Sequence, residues 1–398
     1  MKRGRATLSL CAAAFLLSQA HAEPLEFTGY VGVDLSYFPQ TGLYPEQLKH
    51  QQSSFVLAPE INWRSDNGDT SVNIRTFARV ETKDKQRQHF DLREAYLRHE
   101  FKQFSTLVGI NKVFWGVTES QNLVDIINQV DQLEYTDNDA RLGQPMVALS
   151  TDQKWGALSA FIMTGFRKQE FPGAAGRRRF GLPISKTVLY GDDAGSQTTD
   201  YALRYYNSFG SFDLGLSAFN GTSREPVLTV NNSTTSFEAK YNRISQVGLD
   251  LQYTGDATLL KLEAIRRNGD ELGRFEALVA GLEYTFYQIC SSDGDLGVIA
   301  EYNYDNRGND APQTIFQKDF FLGARWAAND SQDTSVLFGS VVDLDDNSLA
   351  FQGEFQRRLQ NGLSLQLQFK ALGKSNTANL QYGFRRDDFV ALSLQHYF

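Results

Sequence analysis

Apolar and polar residues alternate with a period of two along most of this chain, the signature of strands that show one face to an apolar surrounding and the other to water. Phe55, Leu57, Ile61 and Trp63 oppose Glu60 and Asn62; Val247, Leu249, Leu251 and Tyr253 oppose Gln246, Asp250 and Gln252; Leu363, Leu365, Leu367 and Phe369 oppose Ser364, Gln366, Gln368 and Lys370. The last stretch, Asp388 to Phe398, has the same form, with Val390, Leu392, Leu394 and Phe398 on one side and Ser393, Gln395 and Tyr397 on the other. The pattern predicts strands near 26–38, 53–65, 70–82, 88–101, 106–115, 145–152, 155–166, 199–208, 211–220, 244–254, 257–267, 274–288, 295–306, 318–328, 334–343, 348–358, 363–373 and 388–398. That makes eighteen, or sixteen if the weaker alternation of 106–115 and 334–343 misleads.

The breaks sort by parity. After even strands stand tight turns such as Asp66-Asn67-Gly68-Asp69, Gly255-Asp256 and Asn361-Gly362, while after odd strands the connections are longer, including 39–52, 116–144, 167–198, 221–243 and 374–387. Short turns on one rim and long loops on the other predict an all-β, up-and-down antiparallel transmembrane barrel with both termini on the turn rim. No apolar run after the first residues approaches the roughly 20 residues that a membrane helix needs.

Residues 1–22 read as a cleaved secretory signal. Lys2, Arg3 and Arg5 precede an apolar stretch, and Ala20-His21-Ala22 is a cleavage site, leaving 23–398 as the barrel. The mature chain then carries 36 basic and 47 acidic residues, a formal charge of −11 that disfavours nucleic acid as a partner. Cys290 alone remains, so no internal disulfide is expected.

A closed sheet of about eighteen strands is too wide for its own side chains to fill, so its lumen is expected to be wet. Charges at membrane depth belong on the lumen face. On parity these are Arg75 and Arg79; Glu94 and Arg98; Lys261 and Glu263; Glu283; Glu301; and Arg325, together with Asn73, Asn303, Gln352, Glu354, Gln366, Gln368 and Lys370. Within 116–144, Leu123, Ile126, Ile127, Val130 and Leu133 recur at helical spacing, which predicts a short amphipathic helix in a loop folded into the barrel. That loop carries Glu119, Asp125, Asp131, Glu134, Asp137 and Asp139 against Arg141, a balance of −5. The stretch 167–186 carries Arg167, Lys168, Arg177, Arg178, Arg179 and Lys186 against Glu170, a balance of +5. Opposed charges on neighbouring loops predict a constriction with a transverse field.

The overall plan resembles the outer-membrane porin superfamily of Gram-negative bacteria. The stretch from Arg93-Glu94-Ala95-Tyr96 through Gly109-Ile110-Asn111 to Trp115-Gly116, Glu119, Asn122, Asp125, Asn128 and Asp131 resembles porin-like families of unassigned function. The resemblance implies a porin-type fold and says little about the solute; with the wet, charged lumen it leads to the expectation of an outer-membrane channel for passive diffusion of small polar or charged solutes, in contact with membrane lipid and lipopolysaccharide. It also implies a chain handed to the barrel-assembly machinery through Phe398, with homotrimer and monomer both open. A non-conducting adhesin or structural barrel and a polysaccharide exporter are the alternatives. Phe77, Trp115 and Tyr206 are the candidates for an aromatic lining. Catalysis, cofactors and metals are not expected, since His50, His89, His99 and His396 lack a nucleophile motif or ligand spacing.

Overall fold

A computed structural model describes residues 25–136 and 140–398, so the signal segment and the cleavage site lie outside the described residues. The described residues form twenty-one strands. The first seven are β1 (Glu26–Tyr37), β2 (Gln51–Arg64), β3 (Thr70–Glu81), β4 (His89–Glu100), β5 (Ser105–Asn111), β6 (Gln144–Gln153) and β7 (Gly156–Met163). There follow β8 (Ile184–Tyr190), β9 (Asp200–Phe209), β10 (Phe212–Thr222), β11 (Val227–Asn231), β12 (Ser236–Tyr241), β13 (Arg243–Thr254) and β14 (Thr258–Gly269). The last seven are β15 (Gly273–Phe286), β16 (Asp295–Asp305), β17 (Lys318–Ala327), β18 (Ser335–Asp343), β19 (Leu349–Arg358), β20 (Leu363–Lys374) and β21 (Phe389–Tyr397).

Eighteen of these make one antiparallel sheet, each strand bonded to the next barrel strand in the chain. β1 pairs with β21 from Tyr30 opposite Tyr397 to Tyr37 opposite Val390, which closes the ring and leaves no free edge. All eighteen expected strands are present, including both weak ones. Phe398 donates its N–H to the Gly29 carbonyl at 3.0 Å and stacks on Phe27 at 5.5 Å, sealing the join.

The alternation fixes which face meets lipid. Val33, Leu35, Phe55, Leu57, Val108, Val147, Leu203, Leu216, Val247, Leu282, Leu322 and Leu367 all stand exposed on the outer wall. Such an apolar belt is stable only in hydrocarbon. The short connections 65–69, 101–104, 154–155, 210–211 and 255–257 lie on one rim with both ends of the barrel, while 112–143, 164–199, 223–242 and 375–388 lie on the other.

The remaining three strands form a small sheet outside the ring, with β12 parallel to β8 and antiparallel to β11. It occupies two stretches that sequence reading treats as loops. Phe166, Tyr190 and Tyr241 pack beneath it, with Phe166 and Tyr241 rings 4.9 Å apart.

Candidate functional site

The lumen is divided into a dry half and a polar half. On the inner face of β5–β7, β9, β10 and β13–β15 the inward residues include Leu107, Met146, Phe161, Met163, Phe219, Ile244, Ile265, Phe275 and Val279, all buried. The loop after β5 folds inward and covers them with Trp115, Leu123, Val124, Ile126 and Ile127. Each apolar side chain so covered contributes roughly 1.5–3 kcal/mol relative to exposure to water.

This loop is not helical. From Lys112 to Thr136 the chain runs in turns and extended segments, which corrects the expectation of a helix over Leu123–Leu133. The cause is where its backbone donors go. Glu263 accepts from the N–H groups of Val117 (2.7 Å), Thr118 (3.1 Å) and Val124 (3.2 Å) and from Thr118 Oγ1 (2.8 Å). Glu301 accepts from the N–H groups of Glu119 (2.8 Å) and Ser120 (2.7 Å) and from Ser120 Oγ (2.6 Å). Within the stripe itself the Val124 N–H goes to Glu263, the Val130 N–H to Gln129 Oε1 (3.0 Å), the Asp131 N–H to the Ala140 carbonyl (3.0 Å) and the Leu133 N–H to Asp131 Oδ1 (3.1 Å), so these donors do not need the carbonyl four residues back. Gly116 opens the loop at φ +144°, with the Asn122 side chain lying where a Cβ would stand, so the Trp-Gly step needs its glycine.

Glu263 and Glu301 therefore face inward, as parity requires, but sit beneath the loop as anchors with 0% and 1% exposure. They do not border open lumen.

The other half, from β18 through β21 and on through β1–β4, keeps polar residues inward and stays open. A cavity of about 740 Å³ on the turn-rim side is bordered by Asp34, Glu60, Arg75, Arg79, Lys112, Glu354, Gln366, Gln368 and Gln395. A second, of about 560 Å³ on the loop side, is bordered by Asp125, Asp131, Arg178, Glu225, Arg267 and Arg307. Glu119, Glu134, Arg141, Gln352 and Lys370 border both.

The charges along this passage are ordered by pairing. Arg75 lies between Glu60 (2.6 Å) and Glu94 (3.3 Å), and Lys112 reaches Glu94 at 3.6 Å. Arg79 joins Asp34 (2.6 Å) to Glu134 (2.5 Å), while Arg93 holds Asp131 (2.5 Å). Glu119 pairs with Arg325 and Asp125 with Arg141 (3.0 Å), while Glu283 and Lys261 pair with each other (3.2 Å) on β15 and β14, away from both cavities. Burial acts to raise the Glu134 carboxyl, but Arg79 and Arg87 outweigh it and hold it at about 2. For Asp125 burial prevails over Arg141, and its carboxyl is pushed up to about 6.

These pairings replace the expected field between two loops. The described acids of the inward loop are matched by wall arginines of β3, β4 and β17 and by Arg141 of the same loop. Asp137 and Asp139 lie outside the described residues. Nor do the basic residues of the second loop answer them. Arg177 is wholly buried, bonded to Asp387 (2.6 Å) and to the Gln40 (3.0 Å) and Lys49 (2.8 Å) carbonyls, so it clamps three outer loops and lines no passage. Arg179 stacks on Tyr44 at 4.3 Å, and Arg167 pairs with Asp91. Of the three consecutive arginines only Arg178 borders the outer cavity. Arg98 pairs with Glu100 (2.5 Å) at the turn rim.

Of the aromatic candidates, Phe77 borders the inner cavity with Arg93 over its ring at 4.8 Å, whereas Trp115 is buried in the dry half and Tyr206 bonds Asp213 (3.0 Å), so the three do not line one path. Several passage residues escape simple parity. Between Arg75 and Thr76 the β3–β4 register shifts, so Arg93 and Glu94 are both turned in. Asp34 and Glu60 alternate regularly and were legible; Lys112 and Arg141 lie outside strands and were not.

No protein-family model matches the chain, and no curated protein matches it. Solved structures do match in fold. OccK3 (OpdO) of Pseudomonas aeruginosa aligns with 94% of this chain and 96% of its own at 12% identity and a TM-score of 0.53. OpdQ of the same organism covers 94% and 98% at 12% identity and 0.50. Wzi of Escherichia coli, an outer-membrane protein involved in group 1 capsule assembly and a carbohydrate-binding β-barrel, covers 93% and 84% at 10% identity and 0.54. The fold is thus that of the porin-like outer-membrane barrels, a closed antiparallel ring of eighteen strands.

Proposed function

We propose that this chain is a porin-like channel of the outer membrane that lets small polar or charged solutes diffuse passively. The passage is the crescent between the inward loop and the wall of β18–β21 and β1–β4. The observation that carries this reading is the pair of cavities meeting at Glu119, Glu134, Arg141, Gln352 and Lys370, a polar route on both sides of the loop. The constriction lies there, formed by the 116–144 loop against the β19–β20 wall. The 167–198 loop adds Gln169 and Arg178 only to the outer mouth. Mixed, paired charges beside glutamines suit hydrated solutes of either sign better than one strongly charged species.

A competing reading, a barrel closed by its own loops, rests on the interlocked outer loops around Arg177. Single-channel recording on purified protein in planar bilayers, joined with liposome swelling in sugars, amino acids and organic acids, separates the two. Steady ion conductance with solute-dependent swelling is the expected result; protein that inserts yet passes neither ions nor solutes fits the closed barrel.

A further inference from the structure

His89, the first residue of β4, meets the inward loop with one ring nitrogen satisfied and the other not. Its Nδ1 lies 2.8 Å from the Arg87 carbonyl, which can only accept, so Nδ1 carries a hydrogen and Nε2 of the neutral ring is a bare acceptor. Nε2 is buried and has no hydrogen-bond partner among the described residues. It faces two more acceptors, Asp131 Oδ2 and Glu134 Oε1 of the loop, each 3.8 Å away. Phe77 covers the ring, its centre 5.4 Å from that of the imidazole. A lone pair set against two carboxylates repels them, whereas the same nitrogen carrying a proton attracts both and donates with charge assistance.

The charges around the ring favour that proton. β3 brings Arg79 and Glu81, β4 brings Asp91 and Arg93, the connection between them brings Arg87, and the inward loop brings Asp131 and Glu134. Asp34 of β1 reaches in to Arg79, and Arg167 of the next loop to Asp91. Four arginines thus stand against five carboxylates in a largely buried cluster, where an unbalanced negative charge is poorly screened by water. Asp84, also on the β3–β4 connection, turns away to the Gly173 N–H (2.9 Å). An imidazolium at His89 completes the balance. The other described histidines point elsewhere: His50 stacks on the outward Tyr37, His99 bonds Thr70 Oγ1 (2.8 Å) at the turn rim, and His396 is exposed at the same rim.

The part of the loop that His89 faces is a turn beside the passage. The Glu134 N–H closes it on the Asp131 carbonyl (3.2 Å), Arg87 Nε holds the Leu133 carbonyl (2.8 Å), and Glu134 borders both cavities. Imidazole is the side chain whose ordinary titration falls between about pH 5 and 8. We propose that His89 is a pH-operated latch on the inward loop: protonated, it fastens the 131–134 turn to the β3–β4 wall through Asp131 and Glu134; neutral, it loosens that turn. A partnered imidazolium is favoured over the neutral ring, so the fastening is complete in mild acid and is lost as pH rises through the titration of the imidazole. Its effect on current rests on the reading of the two cavities as a passage; the fastening itself does not.

The test uses the full mature chain, by amide hydrogen exchange in detergent and by current recording in planar bilayers, each at pH 6 and pH 8.5. Protection factors of the 129–135 amides are expected to fall about tenfold or more at the higher pH, the scale of one charged hydrogen bond, and brief interruptions of the current should become more frequent by a similar factor. His89→Asn keeps a donor at the Nδ1 position and has nothing at Nε2, so it should show low protection at both pH values. His89→Gln places an amide N–H at the Nε2 position and should show high protection at both. Unchanged protection of β14–β16 amides in the two variants reports that the barrel is folded. Asp125→Asn should keep the wild-type pH profile. Wild-type protection of 129–135 that does not change with pH, or the same fall in His89→Asn, would overturn the latch, with the channel reading intact if the protein conducts. A His89-dependent fall in protection, from protein that never conducts, would uphold the latch and remove the channel.

Discussion

Two inward carboxylates, Glu263 and Glu301, decide the shape of the lumen, because between them they accept seven hydrogen bonds from the start of the inward loop. Replacing both by glutamine leaves the size unchanged but removes the charge that orients those donors, each such bond being worth about 1.5–3 kcal/mol. Glu263→Gln with Glu301→Gln is expected to release the loop edge, raising single-channel conductance and lowering the thermal midpoint. Unchanged conductance would show that the apolar contacts alone hold the loop. Arg79 is a second such residue, since its loss takes the guanidinium from both Glu134 and Asp34; Arg79→Ala should cost about 3–5 kcal/mol in chemical unfolding.

Asp125 supplies a pH dependence. Its folded pKa of about 6 lies above the ordinary carboxylate value, so its protonated form favours the folded state. That contribution is complete below about pH 4 and is lost as pH rises through about 6. The loop should accordingly not loosen through this group under mild acid. The charge on the outer cavity does change: reversal potentials in a potassium chloride gradient should show less cation preference at pH 5 than at pH 7.5. In Asp125→Asn that difference should shrink.

Among the elements, strands were the legible part, because period-two alternation reports directly which side of the wall a residue takes. Leu392 and Ser393 are neighbours on β21, yet Leu392 meets lipid and Ser393 the polar cavity, where it bonds Asp34. Leu392→Arg should therefore reduce the free energy of insertion into lipid vesicles by about 2–4 kcal/mol, whereas Ser393→Arg should cost clearly less. Equal costs would contradict the assigned faces. Where alternation is interrupted, sequence reading fails for identifiable reasons. The β3–β4 bulge hides Arg93. The apolar stripe of Leu123 to Leu133 fits helical spacing, yet the Val124 N–H is taken by Glu263, 139 positions away in the chain, and the Asp131 N–H by the Ala140 carbonyl, which no local pattern reveals. Likewise β8 pairs with β12 across just over fifty residues, so this outer sheet reads as two unrelated loops.

At the scale of the molecule, the ring is wide enough for water, and half of it is nevertheless dry. The inward apolar residues of β5–β15, read strand by strand, conflict with a wet lumen; with the loop laid over them they become an internal core. What remains is a crescent lined by glutamines and paired charges. Charge totals for whole loops predicted the wrong partners because each carboxylate answers to the cation within a few ångströms and not to the balance of a neighbouring segment.

The central claim, one wet wall and one dry wall within the same ring, is tested most directly by cysteine accessibility in conducting protein. In a Cys290→Ser background, Gln368→Cys on the polar wall and Ala148→Cys beneath the loop would be exposed to a charged, membrane-impermeant thiol reagent during bilayer recording. Rapid modification of Gln368→Cys with a stepwise change in current, and no modification of Ala148→Cys while the protein stays folded, is the predicted result. Equal modification at both positions, or at neither, would contradict it.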